Sequence, residues 1–538
     1  MKLTLHGRTY EKDGCLYLYW TNSGFSCRFR GTGVSAALTT TNVHPLYRGY
    51  LNVYVDGAFA PTATVCVTDD GVYALAEGLP AGEHTLVVRK RSESHCATVG
   101  VSELTVADGE WLSPPPAPTR TIEFVGDSIT SGFGNMVSDG SGDFTTATED
   151  GTMTYAVLTA KALGAEAQIV SRSGIRFVYS HPGLDKVDSW VQHYENTATL
   201  PEQPWGGCAD KWDFAAHKSD VVVINLGTND NGATVDGKRI PDAELTKDAL
   251  VLLRLGRRCN PDALIVWIYG IMGSSRTAAL KAAVEQFGDP RAVYFGLANE
   301  QQVTEGLGTA NHPAIQTHIN RSMDLAAFIA EKTSWTADFG VTMQAQLQLT
   351  GAHELSGYTA DSADALRTAL ADGAALRTTV NGDWAAAIAR IQDAYNALVS
   401  PADRNAEYIV IDDCDEASGW NIAPTGGADA ADRKQGAGCL TATGEGDAPV
   451  TIFTARALHL PLPADWEDWY LECWLYVDNV EAATRGGGIE LSQGIDVGSG
   501  DAGTARGLEQ AASAHGRRTG RQSRTVPHTG KYPRVCGQ

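Results

Sequence analysis

The sequence predicts an α/β domain with a three-layer parallel sheet, preceded by one β-sandwich and followed by a helical spacer and a second β-sandwich. Three observations lead to this prediction. Short β-type runs fill residues 1–112, apolar strands alternate with helical patterns over 121–335, and β texture returns at 403–497. Because a chain of 538 residues exceeds the size at which a single core stops growing, several domains are expected.

The first domain is predicted from strand-like runs such as "CLYLYW", "YLNVYVDG", "VYALAEGL" and "HTLVVRKR". Gly, Asp and Asn turn signals separate these runs, which is typical of an antiparallel sandwich. Residues 113–120 follow, within "LSPPPAPTR", where four prolines favour an extended strap. This linker marks the boundary to the next domain.

The central domain, residues 121–335, has a different pattern. Its strands are predicted at "TIEFVG", "AQIVSRSG", "DVVVINLG", "ALIVWIYG" and "RAVYFGL", and its helices include "DAELTKDALVLLRLGRRC" and a terminal one at about 317–332. The strands are apolar without strict alternation, and helices lie between them. This arrangement indicates a parallel sheet that is covered on both faces.

The C-terminal part is predicted in three pieces. Residues 336–402 carry apolar positions at helical spacing and form a helical spacer, and residues 403–497 return to aromatic-rich β runs that indicate a second sandwich. Residues 498–538 are basic and poor in apolar residues. We expect either a disordered tail or a shifted reading frame there, and in the second case the last sandwich is truncated.

Composition excludes several classes of partner. The formal net charge of −22 argues against nucleic acid, whose binding needs Lys and Arg against phosphates, and no apolar run long enough to span a membrane occurs. Ten cysteines without a Cys-x-x-Cys pair disfavour a zinc site or a redox pair, so no metal is predicted. The first residues lack the apolar core of a secretory signal, so the sequence as given predicts a cytoplasmic protein.

Ser128 stands out in "FVGDSITSGFG", because it follows an apolar strand and precedes a glycine-rich loop. Ligands bind at the carboxyl ends of the strands in an open parallel sheet. Taken alone, Ser128 is more simply a turn residue. A dinucleotide-binding loop is the other alternative, but the run from Gly132 lacks the third glycine of G-x-G-x-x-G.

Three further residues lie at the same predicted edge. Gly174 in "SRSGI" and Asn229 in "INLGTND" each follow a strand, and a backbone N–H with a side-chain amide is what a developing oxyanion requires. His312 in "GTANHPAIQTHINRS" comes after the last strand and is the best candidate base. His318 falls in the first turn of the following helix and is interpreted as a packed or solvated residue.

The blocks "GDSITSGFG", "SRSGI", "GTND" and "HP", in this order, resemble those of the SGNH (GDSL-type) hydrolases. The N-terminal runs "GRTYEKDGCLYLYWTNSGFSCRFRGTGVSAALTTT" and "LAEGLPAGEHTLVVRKRSE" are similar to carbohydrate esterase family 2, whose members carry a jelly-roll-like sandwich before the hydrolase domain. The resemblance covers residues 1–333 and implies an SGNH-type fold.

The resemblance also implies roles. Ser128 is the expected nucleophile, His312 the base, and the Ser128 N–H, Gly174 and Asn229 the oxyanion hole. Relatives commonly carry an aspartate two or three residues before the histidine, where this chain has Ala310 and Thr309. Either a backbone carbonyl orients the His312 ring or the protein is impaired. Asp127 and Asp230 adjoin these residues and are expected to make structural hydrogen bonds.

An acetylated carbohydrate is the substrate that the resemblance implies. The expected reaction removes O-acetyl groups from xylan or glucomannan through an acetyl-serine, with no cofactor and no metal. Trp190, Trp205 and Trp212 are candidates for stacking on sugar rings, with core packing at least as good an interpretation.

Two alternatives to this function stay open, a non-catalytic carbohydrate-binding protein on a decayed esterase scaffold and a general SGNH lipase or esterase. The spacer and the terminal sandwich resemble modules of carbohydrate-active enzymes. Such modules favour a secreted or cell-surface protein, against the cytoplasmic expectation.

Overall fold

The computed structural model describes residues 3–399, except for residues 43, 181–188, 201–202, 204–209, 233, 236–237, 298–304 and 377–381, together with the backbone of short strands between 420 and 537. The chain divides into two compact units. One comprises Met1–Glu354 and Arg367–Gln392, and the other Leu355–Leu366 and Asp393–Gln538. The first unit contains the predicted N-terminal sandwich and the predicted α/β domain.

An antiparallel β-sandwich forms the N-terminal domain, as predicted. Its strands are β1 (Thr4–His6), β2 (Tyr10–Lys12), β3 (Cys15–Leu18), β4 (Gly24–Gly31), β5 (Gly33–Asn42), β6 (Gly49–Val55), β7 (Ala63–Val67), β8 (Gly71–Ala76), β9 (Gly82–Lys90), β10 (Ala97–Ala107) and β11 (Glu110–Trp111). One sheet has the order β1-β4-β9-β6-β7, with β11 also paired to β4, and the other has the order β2-β3-β10-β5-β8. Residues of β9 alternate between buried and partly exposed positions, which is the pattern that two packed sheets require.

A parallel sheet forms the centre of the next domain, which confirms the predicted α/β fold. Its strands are β12 (Thr121–Gly126), β13 (Glu166–Ser171), β14 (Val221–Asn225), β17 (Leu264–Tyr269) and β18 (Ala292–Gly296), and β15 (Thr234–Val235) and β16 (Lys238–Arg239) form a separate hairpin. The order is β13-β12-β14-β17-β18, and each pairing is parallel. The chain therefore reverses direction across the sheet at β12, where doubly wound folds bind ligands.

Helices cover both faces of this sheet. They are α1 (Ser128–Ser131), α2 (Tyr155–Ala162), α3 (Trp190–His193), α4 (Thr228–Asn231), α5 (Asp242–Cys259), α6 (Thr277–Phe287) and α7 (Ile315–Thr333), with short 3₁₀ turns at Thr146–Thr148, Gly151–Met153 and Thr309–Asn311. Leu252 of α5 and Leu280 of α6 pack against one face, and Val157 of α2 and Leu325 of α7 pack against the other. Because both faces are covered, β14 is buried along its whole length.

A buried polar seam joins the sandwich to the α/β domain. The Arg8 guanidinium lies 3.1 Å from Glu123 of β12, and both side chains are completely buried. Three aromatic rings surround the same guanidinium, those of Tyr194, Trp212 and Phe214. A second pair joins Arg89 of β9 to Glu166, where β13 begins. Each charge is therefore compensated by a group from the other domain.

The rest of the chain is helical and then β-type. Helices α8 (Gly340–Gly351), α9 (Ala360–Leu376) and α10 (Trp384–Asn396) lie within the predicted spacer, and Ala345 of α8 packs with Leu158 and Ile319 of the α/β domain. The predicted second sandwich and the predicted tail fall mostly outside the described residues. The strands described there are β19 (Trp420–Ala423), β20 (Thr425–Asp429), β21 (Cys439–Thr443), β22 (Thr451–Thr454), β23 (Leu471–Glu472), β24 (Trp474–Tyr476), β25 (Arg521–Ser523) and β26 (Cys536–Gly537). Among the described helices, none is long and apolar enough to cross a membrane.

Replacing Arg8 by Met tests the seam. The substitution leaves the Glu123 carboxylate buried without its cation, so we expect the free energy of unfolding to fall by about 3–5 kcal/mol. Urea unfolding followed by tryptophan fluorescence measures this loss. As a control, Arg30→Met breaks exposed ion pairs with Glu83 and Glu110 and is expected to cost less than about 1 kcal/mol. Equal losses in the two variants would contradict the account of the seam.

Candidate active site

Three of the predicted site residues follow neighbouring strands of the parallel sheet. Ser128 comes two residues after β12, Gly174 three residues after β13, and Asn229 four residues after β14. In a parallel sheet the carboxyl ends of the strands lie along one edge. The structure therefore brings these residues to the edge at which the sequence predicted them.

Local geometry fixes the bend that carries Ser128. Asp127 is the N-cap of α1, and its carboxylate accepts a hydrogen bond of 3.0 Å from the Ile129 N–H. Gly126 ends β12 where a Cβ would lie 2.0 Å from Thr130 Oγ1, so no side chain fits there. Gly132 ends the helix in the left-handed conformation, with φ of 89°. The sequence G-D-S-I-T-S-G thus forms one helical turn with Ser128 as its first residue.

The His312 side chain meets Ser128 directly. Its Nε2 atom lies 2.8 Å from Ser128 Oγ, although the two residues are 184 positions apart. On the other side of the ring, Nδ1 lies 3.2 Å from the carbonyl oxygens of both Thr309 and Ala310. Carbonyl oxygens only accept hydrogen bonds, so Nδ1 carries the proton. Nε2 is therefore the acceptor for the Ser128 hydroxyl, the arrangement a base needs.

Backbone carbonyls occupy the place of the triad aspartate. Ala310 and Asn311 both adopt positive φ angles, of 53° and 61°. This tight 3₁₀ turn, Thr309–Asn311, directs two carbonyl oxygens at the His312 ring. Among the described residues no carboxylate bonds to His312. Of the two outcomes left open by the sequence, the geometry matches the one in which a carbonyl orients the ring.

The glycine-rich loop after Ser128 supports the histidine loop. Gly134 has a φ of 59°, and a Cβ there would lie 2.5 Å from Thr309. The Gly134 carbonyl accepts the Thr309 N–H at 3.1 Å, and the Phe133 ring packs against the His312 ring with centroids 4.5 Å apart. Sequence reasoning assigned no role to Phe133 or Gly134. The run S-G-F-G was the available signal, since a glycine after a bend often marks a close approach.

The candidate oxyanion donors Gly174 and Asn229 differ in their hydrogen-bond partners. Gly174 is exposed with a φ of +76°, and nothing lies within 4 Å of the place where a Cβ would be. In the described part of the chain no acceptor pairs with its N–H. The Asn229 Nδ2 atom donates to Asp127 Oδ2 at 3.3 Å and to the Ile175 carbonyl at 3.0 Å. These bonds hold the Asn229 amide nitrogen close to Asp127, the residue directly before Ser128.

Asp127 and Asp230 make structural hydrogen bonds, as expected. Asp230 Oδ1 accepts the N–H groups of Phe177 and Val178 at 3.2 and 2.9 Å. Both carboxyls are fully buried, and burial raises the pKa of each to about 7. They hold the loops after β12, β13 and β14 together, and neither touches His312.

The structure corrects part of the sugar-stacking prediction. Trp190 is fully buried, its indole N–H donates to the Gly126 carbonyl at 3.0 Å, and its ring packs on Trp20, so it is a core residue. Trp212 is largely buried between Arg8 and His217 in the seam between the domains. Trp205 lies outside the described residues. The sequence could not separate these roles because aromatic residues serve both.

His318 is a packed residue rather than a second base. Its Nδ1 atom accepts the Tyr155 N–H at 3.1 Å, at the start of α2, and its ring stacks on the Tyr155 ring. Complete burial lowers the pKa of His318 to about 3. The ring therefore stays neutral and serves as a helix cap.

One group of metal-ligating side chains occurs among the described residues. Glu93, His95 and Cys96 place one ligand atom each within 4.8 Å of one another. The Glu93 carboxylate already accepts the Ser173 N–H at 3.1 Å, lies 3.2 Å from His95 Nδ1, and accepts the Cys96 thiol at 3.7 Å. These contacts account for the group without an ion, so we assign no metal to it.

Two family descriptions match this chain. Residues 5–116 match "Carbohydrate esterase 2 N-terminal", and residues 122–255 match "GDSL-like Lipase/Acylhydrolase". The first match falls on the sandwich. The second covers the part of the α/β domain that carries Ser128, Gly174 and Asn229.

Curated relatives agree with these matches. The chain is 31% identical over 326 residues to the cellulase/esterase CelE of Acetivibrio thermocellus, an alignment of 59% of this chain that spans only 38% of CelE. It is 24% identical over 335 residues to an acetylxylan esterase / glucomannan deacetylase of Cellvibrio japonicus, covering 61% of this chain and 88% of that protein.

Solved structures cover the same region. A family two carbohydrate esterase from Clostridium thermocellum, in complex with cellohexaose, matches 62% of this chain and 100% of its own with a TM-score of 0.55 and 28% identity. A family 2 enzyme from Corynascus thermopiles matches with a TM-score of 0.54 and 26% identity, again over 62% of this chain and all of its own. Both likenesses therefore include the sandwich and the α/β domain.

A serine and an imidazole paired at the carboxyl edge of a five-stranded parallel sheet define a GDSL-type, or SGNH, hydrolase. The sandwich in front of this domain narrows the class further. The chain therefore carries a carbohydrate esterase 2 N-terminal domain followed by a GDSL-like domain, and over both domains it is similar to family 2 carbohydrate esterases.

The pKa of His312 provides a test of the site geometry. Burial lowers this pKa below its ordinary value of 6.5, against smaller opposing effects of the Ala310 and Thr309 carbonyls and of Glu93. NMR titration of the imidazole in the folded protein is expected to give a midpoint below 6.5, so the neutral base persists into mildly acidic solution. The resonance is assigned by its loss in His312→Gln. A midpoint at or above the ordinary value would contradict burial as the dominant influence on the ring.

Proposed function

We propose that this protein is a serine esterase that removes O-acetyl groups from plant polysaccharides or oligosaccharides of the xylan or glucomannan type. The observation that carries the proposal is the 2.8 Å contact between Ser128 Oγ and the acceptor nitrogen of His312. A serine hydroxyl becomes a useful nucleophile when an adjacent base takes its proton. No metal or cofactor is required for this chemistry.

The reaction proceeds in two halves. His312 Nε2 takes the Ser128 proton while Oγ attacks the acetyl carbonyl carbon, which gives a tetrahedral oxyanion. The sugar oxygen then leaves with the proton from His312, and the acetyl group remains on Ser128. Water enters, gives its proton to the same nitrogen, and attacks the acetyl-serine. The second tetrahedral intermediate then collapses as His312 returns this proton to Oγ, which releases acetate and regenerates the Ser128 hydroxyl.

Hydrogen-bond donors stabilise the oxyanion in both halves. The backbone N–H groups of Ser128 and Gly174 and the side-chain amide of Asn229 are the proposed donors. Gly174 is exposed, and nothing lies within 4 Å of the position of a Cβ there, so neighbouring side chains do not crowd this residue. Asn229 exchanges its long bond with Asp127, of 3.3 Å, for a bond to the oxyanion.

Support for a carbohydrate substrate comes from the relatives. The Cellvibrio japonicus protein is named an acetylxylan esterase / glucomannan deacetylase, and the Clostridium thermocellum enzyme was solved with cellohexaose. The sandwich shared with these proteins covers residues 5–116 of this chain. A general lipase or esterase would not be expected to carry this sandwich.

Acetate release from acetylated xylan and from 4-nitrophenyl acetate tests the proposal. We expect Ser128→Ala to lower kcat by at least about 10⁴-fold with the fold intact, because the covalent route is lost. Ser131→Ala is the matched control, since Ser131 lies in the same turn, is also buried, and bonds to Ser171 rather than to His312. It is expected to retain activity within about tenfold.

Either of two results would contradict the proposal. Equal activity in wild type and Ser128→Ala would exclude Ser128 as the nucleophile. A folded wild type that binds polysaccharide without releasing acetate would favour the non-catalytic carbohydrate-binding protein.

A further inference from the structure

The segment that joins β9 to β10 connects the sandwich to the catalytic edge of the sheet. Its residues Arg91, Ser92, Glu93 and Ser94 are all buried. Ser94 Oγ donates to the Ser171 carbonyl at 2.7 Å, and the Arg91 carbonyl accepts the Gly151 N–H at 3.0 Å. A segment of the N-terminal domain is therefore built into the loops that surround the site.

Glu93 makes the contact nearest to the candidate oxyanion hole. Its side chain is completely buried, and Oε2 accepts the Ser173 N–H at 3.1 Å. Ser173 directly precedes Gly174. With the bond from Ser94 to Ser171, the loop is held at both 171 and 173, so the direction of the next peptide N–H is set by the sandwich.

We propose that Glu93 is a positioning residue of the esterase, which fixes the Gly174 N–H toward the oxyanion and supplies the negative charge that acts on His312. The inference rests on the function proposed above. It gives the sandwich a role in catalysis besides any role in binding.

Glu93 also contributes a negative charge that acts on His312, whose ring bonds to backbone carbonyls instead of an aspartate. Glu93 lies against His95, with Lys90 and Glu149 as its other titratable neighbours. The groups that affect the pKa of His312 are the Ala310 and Thr309 carbonyls and Glu93. The Glu93 charge raises the pKa of His312, opposing the effect of burial. An anion that acts on the ring stabilises the imidazolium formed during the reaction.

Two conservative variants separate the effect of the length of the Glu93 side chain from the effect of its charge. Glu93→Asp keeps the charge but withdraws the carboxylate by one methylene from the Ser173 N–H. Glu93→Gln keeps an oxygen that accepts this N–H but removes the charge. Glu166→Gln is the matched control, because Glu166 is also a buried glutamate of the domain seam but lies at the opposite end of β13.

The kinetic constants for 4-nitrophenyl acetate and their pH dependence are measured for all four proteins, with thermal unfolding as a check of the fold. For Glu93→Asp we expect kcat to fall about 10- to 100-fold with KM within about twofold, because a displaced oxyanion donor affects the transition state. For Glu93→Gln we expect kcat on the pH plateau to fall about three- to tenfold, because the imidazolium formed during the reaction loses the anion that stabilises it. In this variant the low-pH limb of the plot of kcat against pH moves to lower pH, because removal of the anion lowers the pKa of His312. Glu166→Gln is expected to lose stability but to keep both the rate and the acid limb.

Several results overturn the inference. One is a wild-type kcat in Glu93→Asp, and another is an unmoved acid limb in Glu93→Gln. A third is a loss of activity that follows the melting temperature equally in the Glu93 variants and Glu166→Gln, which would make Glu93 merely structural. An inactive wild type would instead refute the proposed function itself, so the two failures are distinguishable.

Discussion

The hydrogen bond between Ser128 and His312 joins the beginning and the end of the α/β domain, and the surrounding structure serves to make it. Parallel strands place Ser128 at the carboxyl edge of β12, and the loop before α7 returns His312 to the same edge. The two loops also support each other, because the Gly134 backbone bonds to Thr309 and the Phe133 ring packs on the imidazole. A side chain at Gly134 would push these loops apart.

Orientation of the imidazole by backbone carbonyls has a physical cost and a physical benefit. Left-handed backbone at a residue such as Ala310 costs roughly 1–2 kcal/mol, so the turn persists only because its neighbours hold it. In return the ring is fixed in one tautomer with Nε2 toward the serine. A carbonyl is neutral and stabilises an imidazolium less than a carboxylate does. The charge of the buried Glu93 side chain, in the adjoining domain, is therefore more important for His312 than it would be beside a complete triad.

Sequence patterns predicted the elements that depend on local periodicity. The strands of the sheet lie where the apolar runs indicated them, and α5 spans Asp242–Cys259 as its pattern predicted. The four motif residues were found because each follows a strand or precedes a helix. The positive φ of Ala310, the burial of Trp190 and the contact of Glu93 with Ser173 were not foreseen. The burial of Trp190 and the contact of Glu93 arise from packing between domains, and the turn at Ala310 is held by another loop of the α/β domain. No local pattern encodes contacts between residues so far apart in the sequence.

Labelling with a serine-directed fluorophosphonate, followed by peptide mass mapping, tests the central claim most directly because the adduct does not turn over. The reagent needs an activated hydroxyl and an oxyanion site but no particular sugar. We expect one adduct on Ser128 in the wild type and loss of that adduct in His312→Ala with the fold preserved. An adduct on another serine, or labelling of Ser128 that is unaffected by the loss of His312, would contradict the account of the paired serine and histidine.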